Sequence, residues 1–228
     1  MIRVSPSLLE SYRLYLTGDW MSTEQLVQKI TGSFAPTPEI YLGWAYHHML
    51  ENFGETHEMY FEYGNPQDSE ILVTSDDHTF AYEPCVAPVA DFLEAKCVHE
   101  VKGVKEMETE HGTVSIATKA DAIWGNIGGE WKTTQKSIVL AKYMDSVQWK
   151  LCCWALGLVQ MDYRIVQLFK RKDGIWDVKN SDSISMTWND SHMDEILDLI
   201  SGLVHFHQQQ GLEYYLVPYY EREQRNND

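Results

Sequence analysis

The sequence lacks the features that mark membrane and secreted proteins. No run of about 18 apolar residues, the length that crosses a bilayer, occurs among its 228 residues. The opening Met-Ile-Arg-Val-Ser-Pro-Ser has no apolar stretch of the kind found in signal peptides. The four cysteines show no Cys-x-x-Cys spacing, and the last two are adjacent in an apolar helical pattern (Cys85, Cys97, Cys152 and Cys153). We therefore expect a soluble, cytoplasmic protein with no membrane partner and with buried free thiols rather than cysteine metal ligands.

Basic residues are also scarce. Eighteen Lys and Arg against 34 Asp and Glu give a net charge of -16, which argues against a protein that coats nucleic acid. The positive charges are concentrated in residues 132–179, where nine of them stand against four Asp (Lys132, Lys136, Lys142, Lys150, Arg164, Lys170, Arg171, Lys172 and Lys179). A local basic face on an acidic body and scattered lysines on a solvated surface both fit this pattern.

Hydrophobic residues make up 44% of the sequence, enough for one substantial core, and a single domain over 1–228 is the simplest interpretation. Apolar periodicity and turn signals predict that helices and strands alternate. The predicted helices are one that starts after an N-cap at Ser5 with Pro6 in its first turn, then 23–30, 39–53, 84–96, 138–157 and 191–210; the predicted strands are 98–108, 113–124, 130–133, 163–170 and 176–188. We interpret 54–80 as a loop or insertion and 181–228 as a C-terminal strand and helix extension. This order indicates an α/β fold with a central mixed β-sheet flanked by helices.

The most informative segment is a predicted hairpin that carries three charged residues. A Gly-Asn pair at 125–126 is a two-residue turn, and counting outward from it sets Asp121 directly opposite Glu130. Opposed carboxylates repel each other, and a divalent cation removes that penalty. Lys132 projects to the same face as Glu130 because side chains alternate along a strand. Such a set suits metal-assisted phosphodiester hydrolysis, although an exposed strand with an ordinary cross-strand ion pair explains the hairpin equally well.

The segment from Asp121 to Glu130-Trp-Lys132-Thr-Thr resembles the D...(D/E)-x-K-T signature of PD-(D/E)XK nucleases, and its Lys-Thr-Thr ending is most similar to the RecB-type and RecE-type exonucleases. Two further motifs precede it in the order of that family. Ser5-Pro-Ser7-Leu-Leu-Glu-Ser-Tyr12 resembles the S-x-S-x-L-x-x-Y opening of RecB-type nuclease domains.

The second preceding motif is Gly43-Trp-Ala-Tyr-His47 followed by Glu51, which resembles the G-x-x-x-H-x-x-x-E helix of the same family. On a helix these three residues lie in one row. Glycine inside a helix costs about 1 kcal/mol relative to alanine, so we expect another backbone or a substrate to approach Gly43 closely. Taken alone, His47 would more commonly be a hydrogen-bonded core histidine.

After the hairpin, Gln148 and the helix around it resemble the Q-x-x-x-Y helix of these nucleases, with Cys152 where tyrosine is usual. A glutamine on a buried helix face needs hydrogen-bond partners, although a glutamine at the boundary of a helix needs no further explanation. The sequence departs from the family pattern a second time at Lys119, where a glycine is usual. Neither departure removes an expected ligand or the lysine.

The resemblance implies a restriction-endonuclease-like fold and a definite site. The implied metal ligands are His47, Asp121, Glu130 and the backbone carbonyl of Trp131, which would bind one or two Mg²⁺ or Mn²⁺ ions. The implied catalytic residues are Asp121, Glu130, Lys132 and Gln148, and the residues that would support the ligands are Ser7, Tyr12 and Glu51. Some relatives, including the CRISPR-adaptation nucleases, hold an iron-sulfur cluster with four cysteines; the cysteine positions here do not match, and we expect no cluster.

The implied function is a metal-dependent deoxyribonuclease, most similar to exonucleases of DNA recombination and repair, with a phage origin as one option. Its partners would be linear or single-stranded DNA ends, with a homo-oligomer or a recombination protein as further options. One alternative is a catalytically inactive nucleic-acid-binding or scaffold module on the same fold. A glycosidase-like carboxylate pair is another alternative, and it would need neither His47 nor Lys132.

Overall fold

The computed structural model describes residues 2–18, 21–60, 71–75, 78–83 and 97–216. Its helices are α1 (Pro6–Thr17), α2 (Thr23–Thr31), α3 (Pro38–Tyr60), α4 (Leu140–Met144), α5 (Val147–Leu156) and α6 (His192–Gln210), followed by a 3₁₀ turn at Glu213–Leu216. Its strands are β1 (Ile2–Val4), β2 (Ile71–Ser75), β3 (His78–Tyr82), β4 (Val98–Thr109), β5 (Gly112–Trp124), β6 (Ile127–Thr134), β7 (Gln160–Lys170) and β8 (Trp176–Thr187).

All eight strands belong to one mixed sheet. Its order is β1-β5-β6-β7-β8-β3-β2, and β4 pairs with β5 outside this path. The long strand β5 is antiparallel to β4 and β6, whereas β1 joins it in parallel. Strand β7 runs parallel to β6 because the connection between them contains α4 and α5, a crossover of the kind that parallel pairing requires.

Helices cover this sheet through three apolar clusters. The first joins α1, α2 and α6 to β5 and is built on Leu9, Leu26, Ile116 and Ile200. The second lies between α3 and strands β2, β3, β6 and β7 (Leu42, Ala45, Tyr46, Met49, Val73, Tyr82, Trp131, Val166 and Leu168). The third lies between α5 and strands β7 and β8 (Trp149, Cys152, Cys153, Leu158, Met161, Tyr163, Ile165 and Met186). This mixed α/β arrangement confirms the predicted fold class and is consistent with a restriction-endonuclease-like fold.

The predicted helices and strands recur where the described residues cover them, with one change among the helices. Residues 138–157 form two helices instead of one, because Ser146 adopts an extended conformation and its hydroxyl accepts a hydrogen bond from the backbone N–H of Gln148, which starts a new helix. The helix predicted at 84–96 lies outside the described residues. In the part of the chain that is described, no helix combines the length and the apolar character needed to cross a membrane.

The segment 54–80 differs from the loop or insertion that the sequence suggested. Helix α3 continues to Tyr60, and β2 and β3 form an antiparallel pair at the edge of the sheet, with residues 61–70 and 76–77 outside the described part. The acidic and turn-forming residues of this segment hid these elements from the sequence analysis. An edge strand needs only one buried face, so it can carry polar residues that weaken the alternating apolar pattern. Helix α6 and the part of β8 from Ser181 onward fall in the segment 181–228 that was expected to form a C-terminal extension, and they lie in the first cluster and in the central sheet.

A close contact between α1 and α6 gives a test of this packing. A Cβ placed on Gly202 would lie 2.6 Å from the hydroxyl oxygen of Tyr12. We expect Gly202→Ala to lower the free energy of unfolding by about 1–2 kcal/mol in urea denaturation, because the cost of overpacking exceeds the helix propensity that alanine adds. In a Tyr12→Phe background the nearest atom is gone, and the loss should be smaller. Equal losses in the two backgrounds would contradict the contact.

Candidate metal centre

The pairing between strands β5 and β6 ends beside Asp121, and we call this place the opening of the sheet, or the cleft. On one side, β5 pairs with β6 as far as Ala122 and Gly129, and this confirms the predicted two-residue hairpin. On the other side, the ladder with β4 continues past this point but leaves out the pair of Glu100 and Asp121. The backbone of Glu100 has a φ of 57°, a left-handed conformation that costs energy for a residue with a side chain. Asp121 therefore lies at a distortion of β4 and at the place where β6 separates from β5.

The carboxylate of Asp121 bridges the opening. Its Oδ2 atom accepts a hydrogen bond of 2.9 Å from the backbone N–H of Trp131, so a side chain replaces a backbone partner between the two strands. The Nδ1 atom of His47 lies 3.7 Å from the same oxygen. The sequence predicted Asp121 directly opposite Glu130 in the ladder; the carboxylate instead reaches the backbone one residue further along β6.

Helix α3 carries His47 to this place by a close approach to β6. A Cβ on Gly43 would lie 3.2 Å from Oγ1 of Thr133. Gly43 thus leaves room for the side chain of Thr133, the residue after Lys132. Leu42, Ala45, Tyr46 and Met49 anchor the same helix in the second cluster. These contacts fix His47 beside Asp121.

Lys132 lies at the centre of the polar contacts on the side of α5. Its Nζ atom donates hydrogen bonds to Oε2 of Glu130 at 2.6 Å and to Oε1 of Gln148 at 3.3 Å. It also lies 5.0 Å from the centre of the Tyr163 ring, within the range of a cation–π contact. The structure therefore brings the two hairpin residues and Gln148 together, as the sequence predicted.

Burial controls the protonation of this group. Desolvation raises the pKa of Asp121 and of Glu130, although Lys132 opposes both shifts. Desolvation also acts to lower the pKa of Lys132, but the carboxylates of Glu130 and Asp121 outweigh it and the net shift is upward. Burial, assisted by the charge of Lys132, lowers the pKa of His47 to about 4. The lysine is consequently charged at neutral pH, and the imidazole is neutral, which is the form that binds metals.

The donor types in this cleft suit a divalent cation. Two buried carboxylates favour Mg²⁺, and one neutral imidazole makes Mn²⁺ an effective substitute. His47 also makes a hydrogen bond with the backbone of Trp131, the residue whose carbonyl was predicted as a ligand. No three His, Cys, Asp or Glu side chains of the described residues lie close enough together to form a ready metal site. Glu130 contacts the ammonium of Lys132 in this arrangement, so metal binding would require it to exchange that partner.

Two other predicted site residues have different surroundings, and the side chain of a third lies outside the described residues. Ser7 is exposed on α1 and exchanges a hydrogen bond with Ser5. Tyr12 packs against Phe206 and Tyr15 in the first cluster, where it joins α1 to α6. The side chain of Glu51 lies outside the described residues. These contacts of Ser7 and Tyr12 lie within α1 and with α6, and their supporting role at the metal centre stays a prediction.

Two of the three described cysteines are buried free thiols, as predicted, whereas Cys97 is not buried. Cys152, which stands in place of a tyrosine, is buried and lies 2.7 Å from Oγ1 of Thr118. Cys153 is buried as well, and desolvation raises its pKa to about 12. Cys97 is partly exposed and contacts Nε2 of His99, whereas Cys85 lies outside the described residues.

Sequence reasoning missed two residues that hold the centre in place. The ring of Tyr163 lies beneath Lys132, and its position follows from the pairing of β6 with β7, which a linear pattern does not reveal. Glu10 of α1 accepts hydrogen bonds from the backbone N–H of Val147 at 2.8 Å and from the hydroxyl of Ser146 at 3.1 Å, and it pairs with Arg13. Glu10 thus ties α1 to the first turn of α5, the turn that carries Gln148. The signal that could have revealed it is its position inside the Ser5–Tyr12 motif.

A substitution at Glu10 tests this connection between α1 and α5. We expect Glu10→Ala to lower the free energy of unfolding by about 1–3 kcal/mol, because a backbone donor at the start of α5 and the guanidinium of Arg13 lose their acceptor. Glu106→Ala, at an exposed position of β4, serves as the control and should change stability by less than about 0.5 kcal/mol. Urea unfolding measures both variants, and equal values would argue against the tie.

Comparison with known proteins supports the fold and leaves the chemistry open. No family model matches the sequence, and no curated protein matches it. The crystal structure of SSO0001 superposes with a TM-score of 0.50 at 15% identity, over 90% of this chain and 76% of that one. The crystal structure of LHK-Exo in complex with dAMP superposes with a TM-score of 0.43 at 14% identity, over 92% of this chain and 90% of that one. At 15% identity the match to SSO0001 shows a shared fold and no more.

Proposed function

We propose that this chain is a Mg²⁺- or Mn²⁺-dependent nuclease that hydrolyses phosphodiester bonds of DNA. The observation that supports it best is a pair of contact groups that interact electrostatically: His47 on α3 with Asp121 on β5, and Lys132 on β6 with Glu130 and with Gln148 on α5. A glycosidase-like carboxylate pair would not call for the lysine or the histidine. Phosphodiester hydrolysis uses all of them.

In this proposal His47, Asp121, Glu130 and the Trp131 carbonyl hold the cation. When bound, such a cation polarises the phosphate and lowers the pKa of an attacking water. The two carboxylates also make the cleft attractive to cations, because each carries a desolvation penalty that a nearby positive charge reduces.

Lys132 stabilises the negative charge that develops on the phosphate and orients the attacking water. Its ammonium stays protonated at neutral pH, since its carboxylate neighbours raise its pKa. Gln148 and the Tyr163 ring position it: the amide oxygen accepts one of its hydrogens, and the ring lies below the charge. If Glu130 were to bind a cation, Gln148 and the Tyr163 ring would still hold the ammonium of Lys132 in place.

We further propose an exonuclease that acts on DNA ends in recombination or repair. This rests on the resemblance of Lys132-Thr-Thr134 to the RecE-type ending and of the Ser5–Tyr12 segment to RecB-type domains. The net charge of -16 agrees with an enzyme that holds DNA locally at one cleft, and it argues against broad contact with duplex phosphates.

Lys132→Ala should abolish cleavage of linear DNA in Mg²⁺ or Mn²⁺, a loss of at least about 100-fold, because positioned charge at the transition state contributes about 3–4 kcal/mol. Lys136→Ala, at an exposed position four residues further along, is the matched control and should remain active. A gel assay with linear and circular DNA separates exonuclease from endonuclease action. Full activity of the Lys132 variant would refute its role, and an inactive wild-type protein in both metals would favour the binding or scaffold module.

Metal binding itself can be measured without turnover. Saturation with Mn²⁺ at about 100 times its dissociation constant should stabilise the wild-type protein by about 2.7 kcal/mol, because the ion binds the folded chain alone. We expect Asp121→Asn and Glu130→Gln to lose most of this gain in thermal unfolding, while Lys132→Ala keeps it. Equal stabilisation of all variants would place the ion elsewhere.

A further inference from the structure

Four aromatic rings form a surface cluster beside the candidate metal centre. Tyr41 and Trp44 lie on α3, and His78 and Phe80 lie on β3. The rings of Tyr41 and His78 stack with centroids 4.3 Å apart and planes 15° apart. His78 lies 6.4 Å from Phe80 at the same angle, and Trp44 meets Tyr41 edge to face at 5.4 Å. We name these four residues the aromatic cluster.

Trp44 is the open member of the cluster, with 49% of its surface exposed. Most of the other exposed large hydrophobic residues of the described chain are aliphatic, such as Leu16 and Val104. Tyr41 supports the edge of the indole, and the stack with His78 supports Tyr41 in turn. The indole is therefore held in a defined orientation while half of it faces solvent, an arrangement that exposes apolar area without burying it in the core.

The aromatic cluster adjoins the candidate metal centre through α3. Trp44 precedes His47 by three residues, which places it on the same side of the helix and about 4.5 Å away along the axis. The residue before Trp44 is Gly43, which packs on Thr133 directly after Lys132. His47 contacts Asp121, so a strand bound at these two residues would lie about one helical turn from Trp44.

We propose that Trp44 is a stacking surface for a nucleobase of a single-stranded DNA end, an inference that rests on the proposed nuclease function. Every base has a π face, so stacking on an aromatic ring binds single strands with little dependence on sequence. The paired bases of a duplex are closed to such a contact. An apolar protein segment is a less suitable occupant, because one half-exposed indole offers far less apolar area than a stable protein interface buries.

The charge of the chain strengthens the argument for stacking. With a net charge of -16, attraction to phosphates contributes little to affinity and falls further as salt rises. Stacking does not release counterions, and it therefore persists in salt. Single-stranded DNA should accordingly bind with a shallow dependence on salt, supported by Trp44.

The test measures binding of a labelled short oligothymidylate by fluorescence anisotropy in the cleavage-deficient Lys132→Ala background. We expect Trp44→Ala and Trp44→Leu to weaken binding about five-fold or more, since one stacked base contributes about 1–3 kcal/mol. Trp44→Phe should keep most of the affinity because it keeps a ring. Tyr214→Ala, an exposed aromatic position in the 3₁₀ turn after α6, is the control and should bind as its parent does.

An oligonucleotide with an abasic residue makes the test specific for stacking. A scan of the abasic position should find one position that weakens binding to the parent protein and leaves binding to Trp44→Ala unchanged. Equal weakening in both proteins at every position, equal affinity of the Ala and parent proteins, or no measurable binding of single strands would overturn the inference. Cleavage of DNA by the wild-type protein separates the two proposals. If DNA is cleaved but substitution of Trp44 does not change binding, only the stacking proposal fails. If DNA is not cleaved but Trp44 contributes to binding, only the nuclease proposal fails.

Discussion

Two buried carboxylates and one ammonium must neutralise one another where the sheet opens, and the rest of the centre is arranged around that requirement. Asp121 and Glu130 carry a desolvation cost that raises the pKa of each, and Lys132 is the cation that reduces it. If β5 and β6 stayed paired here, the backbone N–H of Trp131 would not be free for the Asp121 carboxylate. The opening therefore gives up backbone pairing, and the Asp121 carboxylate recovers one hydrogen bond from Trp131.

The two helices that complete the centre are held by contacts away from the charges. Helix α3 approaches β6 because Gly43 leaves room for Thr133, and α5 begins where it does because Ser146 and Glu10 satisfy its first turn. Each contact sets the direction of a helix that carries a polar side chain into the cleft, His47 on α3 and Gln148 on α5. The precision of the centre thus depends on packing at residues that have no chemical role of their own.

The sequence was informative about elements with strong local signals and about charges on one hairpin. Ser5, Pro6 and the Gly-Asn turn predicted the start of α1 and the register of β5 with β6 as far as Ala122. The opening beyond that register coincides with a distortion at Glu100, which belongs to a different strand and leaves no local pattern. The same limit applies to Glu10, which accepts a hydrogen bond from the backbone N–H of Val147, 137 residues further along the sequence. Long-range partners of this kind are set by tertiary packing, which periodicity does not encode.

The source of the binding affinity reconciles the net negative charge of the chain with DNA as its proposed substrate. Carboxylates that attract a divalent cation also repel phosphate, so a site rich in them needs the cation and Lys132 before a phosphodiester can approach. Affinity for the remainder of the strand must then come from groups that do not add negative charge. An exposed ring next to the cleft meets that condition without a basic surface, and it acts on bases that only an opened end presents. A chain with a net charge of -16 would thereby favour ends over the interior of a duplex, because the duplex presents its phosphates and shields its bases.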